Sequence, residues 1–298
     1  MSLVADTFDE SALYDYQDAE LESYIANSPR IYTTRQEGIR KLSPQLAAKP
    51  VPWPVDPQDE VLALERARSA GVRAPVVHRV VPCEDEGHFL VMDLIKGATL
   101  EQIWQSMGFI ATLRLAWQLR TYLRSMASVT SQTTGGIHSG HVESEWIQGQ
   151  YGPIPHASPT SFSNYLNWWL SQCRPTEYRA HPELAFQPAP HHTLVHQDLA
   201  PRNMIVDAEG ALWVVDWDHA GFYPPCMEYG GMVAIGHAMP WLTASTWTAW
   251  WGRLRWSFFR WVACGPGWRY TKQLKGLAVV RQRSMQFRLA KGPFSMKR

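Results

Sequence analysis

Residues Thr193–His219 read TLVHQDLAPRNMIVDAEGALWVVDWDH, and this stretch decides the fold. Polar His196, Asp198, Asn203, Asp216 and Asp218 interrupt apolar runs such as MIV and LWVV. A carboxylate beside such runs is costly to bury unless something positive meets it. The runs MIVD and ALWVVD are joined by AEG, so a hairpin would carry the chain back to where it began. Asn203, just before the first strand, and Asp216, at the end of the second, would then converge. An amide oxygen and a carboxylate on one point make a hard-oxygen site suited to Mg²⁺. Asp198 would sit close by without ligating the metal. In such a layout one carboxylate orients an attacking hydroxyl and accepts its proton, while positioning and charge neutralisation stabilise a transferring phosphoryl group.

The motif is H-x-D-x-x-x-x-N, then an apolar strand, then D-x-D. Continued through HAGFYPPCMEY, it resembles the aminoglycoside phosphotransferase and choline-kinase-like superfamily. It is most similar to the large fungal subgroup, whose members often read H-G-D-L-x-x-x-N, D-W-E-x-A-G-x-Y-P and W-E-Y. The sequence departs from that pattern at Gln197 (usually glycine), Asp218 (usually glutamate) and Met227 (usually tryptophan). The resemblance implies an α+β, two-lobed, protein-kinase-like fold. A small antiparallel-sheet lobe for the nucleotide would span 1–92, including an N-terminal helix. A larger, mainly helical lobe, 93–298, would carry the catalytic loop, the metal loop and the acceptor site. It also implies a nucleoside triphosphate, ATP or GTP, with Mg²⁺ as cofactors and a small hydroxylated molecule as acceptor. Asp198 would be the catalytic base, and Asn203 and Asp216 the metal ligands.

The same likeness requires a strand lysine reaching the phosphates and a helix glutamate holding it. Lys41 in GIRKLSP is the expected lysine, with Arg40 or Lys49 as substitutes. Glu60 in the helix DEVLALERAR is the expected partner, with Asp59 and Glu65 as competitors. FLVMDLIKGATL resembles the inter-lobe hinge, so backbone groups of Met92, Asp93, Leu94 and Ile95 would hold the adenine edge. His196 is expected to brace the loops. Asp218, Glu228 and Trp217 are candidates for the acceptor site or a second metal, Glu228 alternatively supporting the metal loop. No G-x-G-x-x-G lies near Gly38, and the chain enters a helix soon after Asp216 without an A-P-E segment. Both absences argue against a protein kinase. A kinase-like binding or scaffold protein is the rival reading.

The rest of the chain sets the bounds. Its 298 residues are 45% hydrophobic and 18% charged, enough for a sizeable core in two lobes. A net charge of +1 provides no general field for nucleic acid. The N-terminal start is acidic and unlike a signal peptide, no apolar run reaches membrane-spanning length, and four scattered cysteines fit a reducing, cytoplasmic setting. No stable membrane insertion is expected. Charge is uneven: seven acids and no base lie between Asp6 and Glu22, nine bases and no acid between Arg269 and Arg298. Solvated helix faces, or an anionic partner or membrane surface for the basic tail, would account for this.

Periodicity predicts an amphipathic helix over about Thr7–Asn27, strands RIYTT and GIRKL, a loop through the five prolines of SPQLAAKPVPWPVDP, and strands PVVHRVV and HFLVMDL. Helices are expected near Thr99–Gln105, Ala111–Val129 and Ser161–Gln172, then from about Met227, Thr243 and Tyr270. The Gly/Pro/His-rich stretch Thr133–Pro159 reads as an irregular surface segment, suited to a lid. Trp247, Trp250, Trp251, Leu254, Phe258 and Trp261 share one helical face, either a packed core or an aromatic wall for the acceptor.

Overall fold

The computed structural model describes residues 8–31, 38–83, 87–144, 146–147, 152–171, 184–235 and 246–289. The first part of the chain builds a four-stranded antiparallel sheet in the order β1-β2-β4-β3, with β1 Arg40–Lys41, β2 Leu46–Pro52, β3 Val77–Cys83 and β4 Gly87–Asp93. Between β2 and β3 runs helix α2, Pro57–Ser69, started by the Asp56 side chain accepting from the Gln58 N–H, with proline in the first turn. The preceding helix α1, Asp18–Asn27, belongs to this small lobe. Its buried Leu21 and Ile25 pack with Leu46, Ala48, Val81 and Val91 of the sheet. The single helix expected from Thr7 is two pieces, a short turn Glu10–Ala12 and then α1. The Asp9 carboxylate takes the Ser11 N–H, starting the turn locally and separating it from the longer helix.

The proline-rich loop expected around Lys49 is instead strand β2. Strand β1 pairs only with Ala47 and Ala48, so from Pro50 onward β2 is an edge on that side while pairing with β4 on the other. An edge position tolerates the missing N–H of Pro50 and Pro52. Of the strand pair RIYTT and GIRKL, residues 32–37 lie outside the described residues, and Arg30 bridges Arg40.

After β4 the chain crosses into the larger lobe. Helices α3 (Leu100–Ile103), α4 (Phe109–Ser128), α5 (Pro159–Ser171), α6 (Cys226–Ile235), α7 (Trp247–Cys264) and α8 (Thr271–Leu289) surround two small antiparallel sheets. One joins β10 (Gly221–Tyr223), β7 (His192–Val195) and β6 (Thr130–Ser131); the other joins β5 (Ala98–Thr99), β8 (Met204–Val206) and β9 (Leu212–Val214). The core beneath the site contains Trp104, Leu119, Met204, Trp217, Trp256 and Phe259, all buried. No helix among the described residues is long and apolar enough to cross a membrane.

Two expectations are corrected here. The Thr133–Pro159 segment is irregular but tied into the fold. Thr134, Val142, Trp146 and Ile147 are buried, and Gly135 exchanges backbone hydrogen bonds with Phe222. The tryptophan stripe of α7 is not a packed core face, apart from Phe258, which lies half-buried against the core. Ala249, Gly252, Trp256 and Phe259 form the buried face, and Trp247, Trp250, Trp251 and Trp261 point outward.

Candidate active site

The hairpin read from the sequence forms. Met204 pairs with Val214, Ile205 with Trp213 and Val206 with Leu212. Asp207 fastens its tip, with Oδ1 accepting the Ala211 N–H and Oδ2 accepting Trp213 Nε1–H at 2.8 Å. The Val215 N–H donates to the Asn203 carbonyl at 2.9 Å, so the two ends of the hairpin meet and Asp216 follows beside Asn203.

Across from it stands Lys49, not Lys41. Lys49 Nζ lies 2.8 Å from Glu60 Oε1, 2.9 Å from Glu60 Oε2 and 2.6 Å from Asp216 Oδ1. The ammonium therefore joins a strand and a helix of the small lobe to the loop after β9 in the large one. Lys41 is exposed on β1, where its side chain has no such partner. Glu60 is the partner expected. Its Oε1 also accepts the Trp217 N–H at 3.3 Å. Asp59 and Glu65 do not compete for that place.

Electrostatics keep this group charged. Burial, the largest influence, pushes the Lys49 ammonium toward neutrality, but Glu60, Asp216 and Asp218 outweigh it and hold its pKa well above the ordinary value. Burial lifts the Glu60 carboxyl and Lys49 opposes that lift, with Asp218 and Asp216 pushing it further up. For Asp216, Lys49 overcomes burial and lowers the pKa.

The loop His196–Asn203 is organised from within. The Asp198 N–H donates to His196 Nδ1 at 3.2 Å, so Nε2 carries the ring proton and donates to the Val215 carbonyl at 3.0 Å. Burial lowers the His196 pKa and favours this neutral form. His196 thus braces its own loop against the chain end of β9 that leads to Asp216. Asn203 Nδ2 donates to the Asp198 carbonyl at 2.9 Å and to Asp198 Oδ2 at 2.8 Å, and Arg202 also pairs with Oδ2. Asp198 Oδ1 and Asn203 Oδ1 accept no hydrogen bond among the described residues.

Glu228 faces inward. Its Oε2 accepts the His196 N–H at 2.6 Å and its Oε1 the Gln197 N–H at 3.2 Å, so the carboxylate caps the catalytic loop from α6 and is not an acceptor-site group. Burial lifts its pKa to about 7. Trp217 is likewise corrected: it is fully buried, donates Nε1–H to the Val214 carbonyl and packs edge-on against His196. Gln197, where glycine is usual, has φ of 68°. Glycine takes that left-handed conformation at no steric cost. Gln197 instead gains Nε2–H bonds to the carbonyls of Glu143 and His219.

The stretch from Met92 to Ile95 spans the end of β4. Met92 is buried. The Asp93 N–H donates to the Val76 carbonyl and the Leu94 N–H to that of Gln45, so both amides are already used. The Asp93 carboxylate turns to the Val76 N–H and His78.

The donor set fits a divalent cation. Asn203 Oδ1 and Asp216 lie at the two ends of one hairpin, and Asp218 Oδ1 is buried without a partner. Among the described residues no group of three His, Cys, Asp or Glu side chains is arranged to hold a metal. A site completed by phosphate oxygens is the arrangement Mg²⁺ favours.

Residues 27–269 match the family described as phosphotransferase enzyme family. The chain belongs to that family. No curated protein matches it in sequence. Among solved structures, the phosphotransferase chain shares its fold with a thermostable mutant of aminoglycoside phosphotransferase APH(4)-Ia, in ternary complex with AMP-PNP and hygromycin B. That match has a TM-score of 0.53 and 13% identity, covering 91% of this chain and 92% of that one. A second is the GDP and kanamycin complex of APH(2")-IIia, with a TM-score of 0.51, 16% identity and coverage of 94% and 90%.

Lys49 is the residue that sequence reasoning placed elsewhere. A signal was present: it is the one charged residue in the small apolar run LAAKPV, just upstream of the helix that holds Glu60.

Proposed function

We propose that this phosphotransferase is a small-molecule kinase that moves the γ-phosphoryl group of ATP or GTP to a hydroxyl of a small acceptor, with Mg²⁺ and with Asp198 as base. The observation that carries the proposal is the Lys49 ammonium shared between Glu60 and Asp216, beside the Asp198–Asn203 pair.

Lys49, held in place by Glu60, is aimed to neutralise the phosphates. Asn203 and Asp216 would hold the metal, which supplies charge neutralisation to the phosphate oxygens when bound. Asn203 and Arg202 fix Asp198 through Oδ2, leaving Oδ1 to accept the acceptor's hydroxyl proton as the new P–O bond forms and the nucleoside diphosphate departs.

The test is a nucleotide-consumption screen over hydroxylated metabolites with ATP or GTP and Mg²⁺, with phosphorus NMR on each hit. Asp198→Asn should keep the melting temperature and nucleotide-dependent thermal shift while losing about 10²- to 10⁴-fold in kcat. Nucleotide binding without turnover on any acceptor would assign the chain to the scaffold class. No binding at all would remove the nucleotide reading.

A further inference from the structure

We propose that the outward faces of α4 and α7 form a docking surface for an anionic lipid bilayer. On α7, Trp247 is 75% exposed, Trp250 45%, Trp251 46%, Leu254 47% and Trp261 58%. On α4, Phe109, Ile110, Leu113 and Trp117 are exposed on one side, while Thr112, Leu115, Ala116 and Leu119 bury the other. The two exposed faces are continuous, because the tilted rings of Phe109 and Phe258 have centroids 5.1 Å apart and Phe258 lies 6.0 Å from Trp261. Neither helix contributes a side chain to the Lys49–Glu60–Asp198–Asn203–Asp216 constellation. An exposed apolar expanse of this size marks an interaction surface.

Three features select the bilayer as occupant. First, the patch is dominated by tryptophan, whose ring is apolar and whose N–H seeks a wet boundary; this is the chemistry of the headgroup region. Second, the charge has one sign. Neither α4 nor α7 carries an acid; Arg114 and Arg124 of α4 are exposed, Arg255 of α7 is buried, and the turn after α7 adds exposed Trp268 and Arg269. Third, the end of the patch opens into a cavity of about 340 Å³ lined by Arg120, Arg124, Arg269, Tyr229 and Tyr270. Arg120 joins the two regions, with its guanidinium 5.9 Å from the Trp117 ring. Among the described residues no carboxylate is within ion-pair distance of these three arginines. Glu228, which also lines the cavity, spends both oxygens on the catalytic loop. Arg120 Nε is buried without a partner. The cavity is thus equipped for a lipid phosphate beside an apolar face that sinks into the acyl boundary. Both helices bury their opposite faces in the core, so the protein lies on the membrane and does not cross it.

The purified full chain is to be sedimented with vesicles of phosphatidylcholine alone, and with vesicles of phosphatidylcholine and phosphatidylserine at roughly two to one. Wild type should pellet with the anionic vesicles only, and salt should release it. Trp117→Gln/Trp261→Gln should abolish pelleting. Arg124→Gln/Arg269→Gln should weaken it roughly fivefold per arginine, about 25-fold for the pair. All four positions are exposed, so melting temperatures should stay near wild type, which the same preparations check. Equal binding to both vesicle types, or no pelleting at all, would overturn the proposal. So would a dimer in light scattering that the tryptophan pair splits without any vesicle binding, since it would assign the face to a second copy of the chain.

Discussion

Lys49 shows what a single buried charge does in this molecule. It answers Glu60 in the small lobe and Asp216 in the large one, so its removal leaves two carboxylates facing each other without a cation. Lys49→Ala should therefore cost about 3–5 kcal/mol in stability and at least about 10²-fold in turnover, read by chemical denaturation and by the nucleotide-consumption assay. Lys49→Met with Glu60→Leu should recover part of the stability, because Asp216 still lacks its cation, and none of the activity. Lys41→Ala should change neither measurably, because Lys41 is a surface residue. His192 gives a second residue-scale expectation. Burial lowers its pKa from 6.5 to about 4. Below pH 6.5 the unfolded chain takes up a proton that the folded chain refuses until about pH 4, so this contribution to stability is complete above 6.5 and lost as pH falls toward 4. His192→Asn should flatten that part of the stability–pH curve in a titration of denaturation midpoints.

At the scale of elements, the catalytic loop is held from behind by α6. Glu228 takes two of its amides, and Gly231, one turn further on, lets the helix approach the loop. A Cβ at Gly231 would stand 2.0 Å from the Gln197 carbonyl oxygen, and backbone cannot give way as a side-chain end can. Gly231→Ala should displace the loop, lowering kcat by an order of magnitude or more with a smaller effect on nucleotide binding; single-turnover kinetics beside a nucleotide titration would separate the two. The hairpin β8–β9 was legible in the sequence, because its alternation and turn residues are local, and the His196 brace was legible through the resemblance of its motif. Strand β2 was not legible. Five prolines between Pro44 and Pro57 read as a loop, and only the short partner β1 makes an edge where Pro50 and Pro52 lose nothing.

For the whole molecule, the lobes are fastened at a second place besides Lys49. Asp59, in the first turn of α2, accepts the N–H groups of His138 and Ser139 at 2.7 and 2.9 Å, while Asp56 pairs with His138 Nδ1 at 2.6 Å. The approach is close enough that a Cβ on Gly136 would meet the Asp59 carboxylate at 2.5 Å. This latch ties the helix that carries Glu60 to the irregular segment of the large lobe. Asp59→Ala should cost about 1–3 kcal/mol and raise the KM for nucleotide more than it lowers kcat, as measured by steady-state kinetics and thermal melts. Nothing in the spacing of Asp59 and His138, 79 residues apart, marks them as neighbours.

The sequence alone placed Asn203 and Asp216 at the two ends of one hairpin with Asp198 close by, because a short chain leaves few ways to arrange them. The kinase-like α+β class and the bracing part of His196 came from the resemblance that the same motif carries. Tertiary structure alone decided which lysine meets Glu60, that Glu228 and Trp217 turn inward, and that the tryptophans of α7 face out. Those outcomes depend on how separate elements pack. A helix with apolar residues all round carries no mark of which side its neighbours will cover.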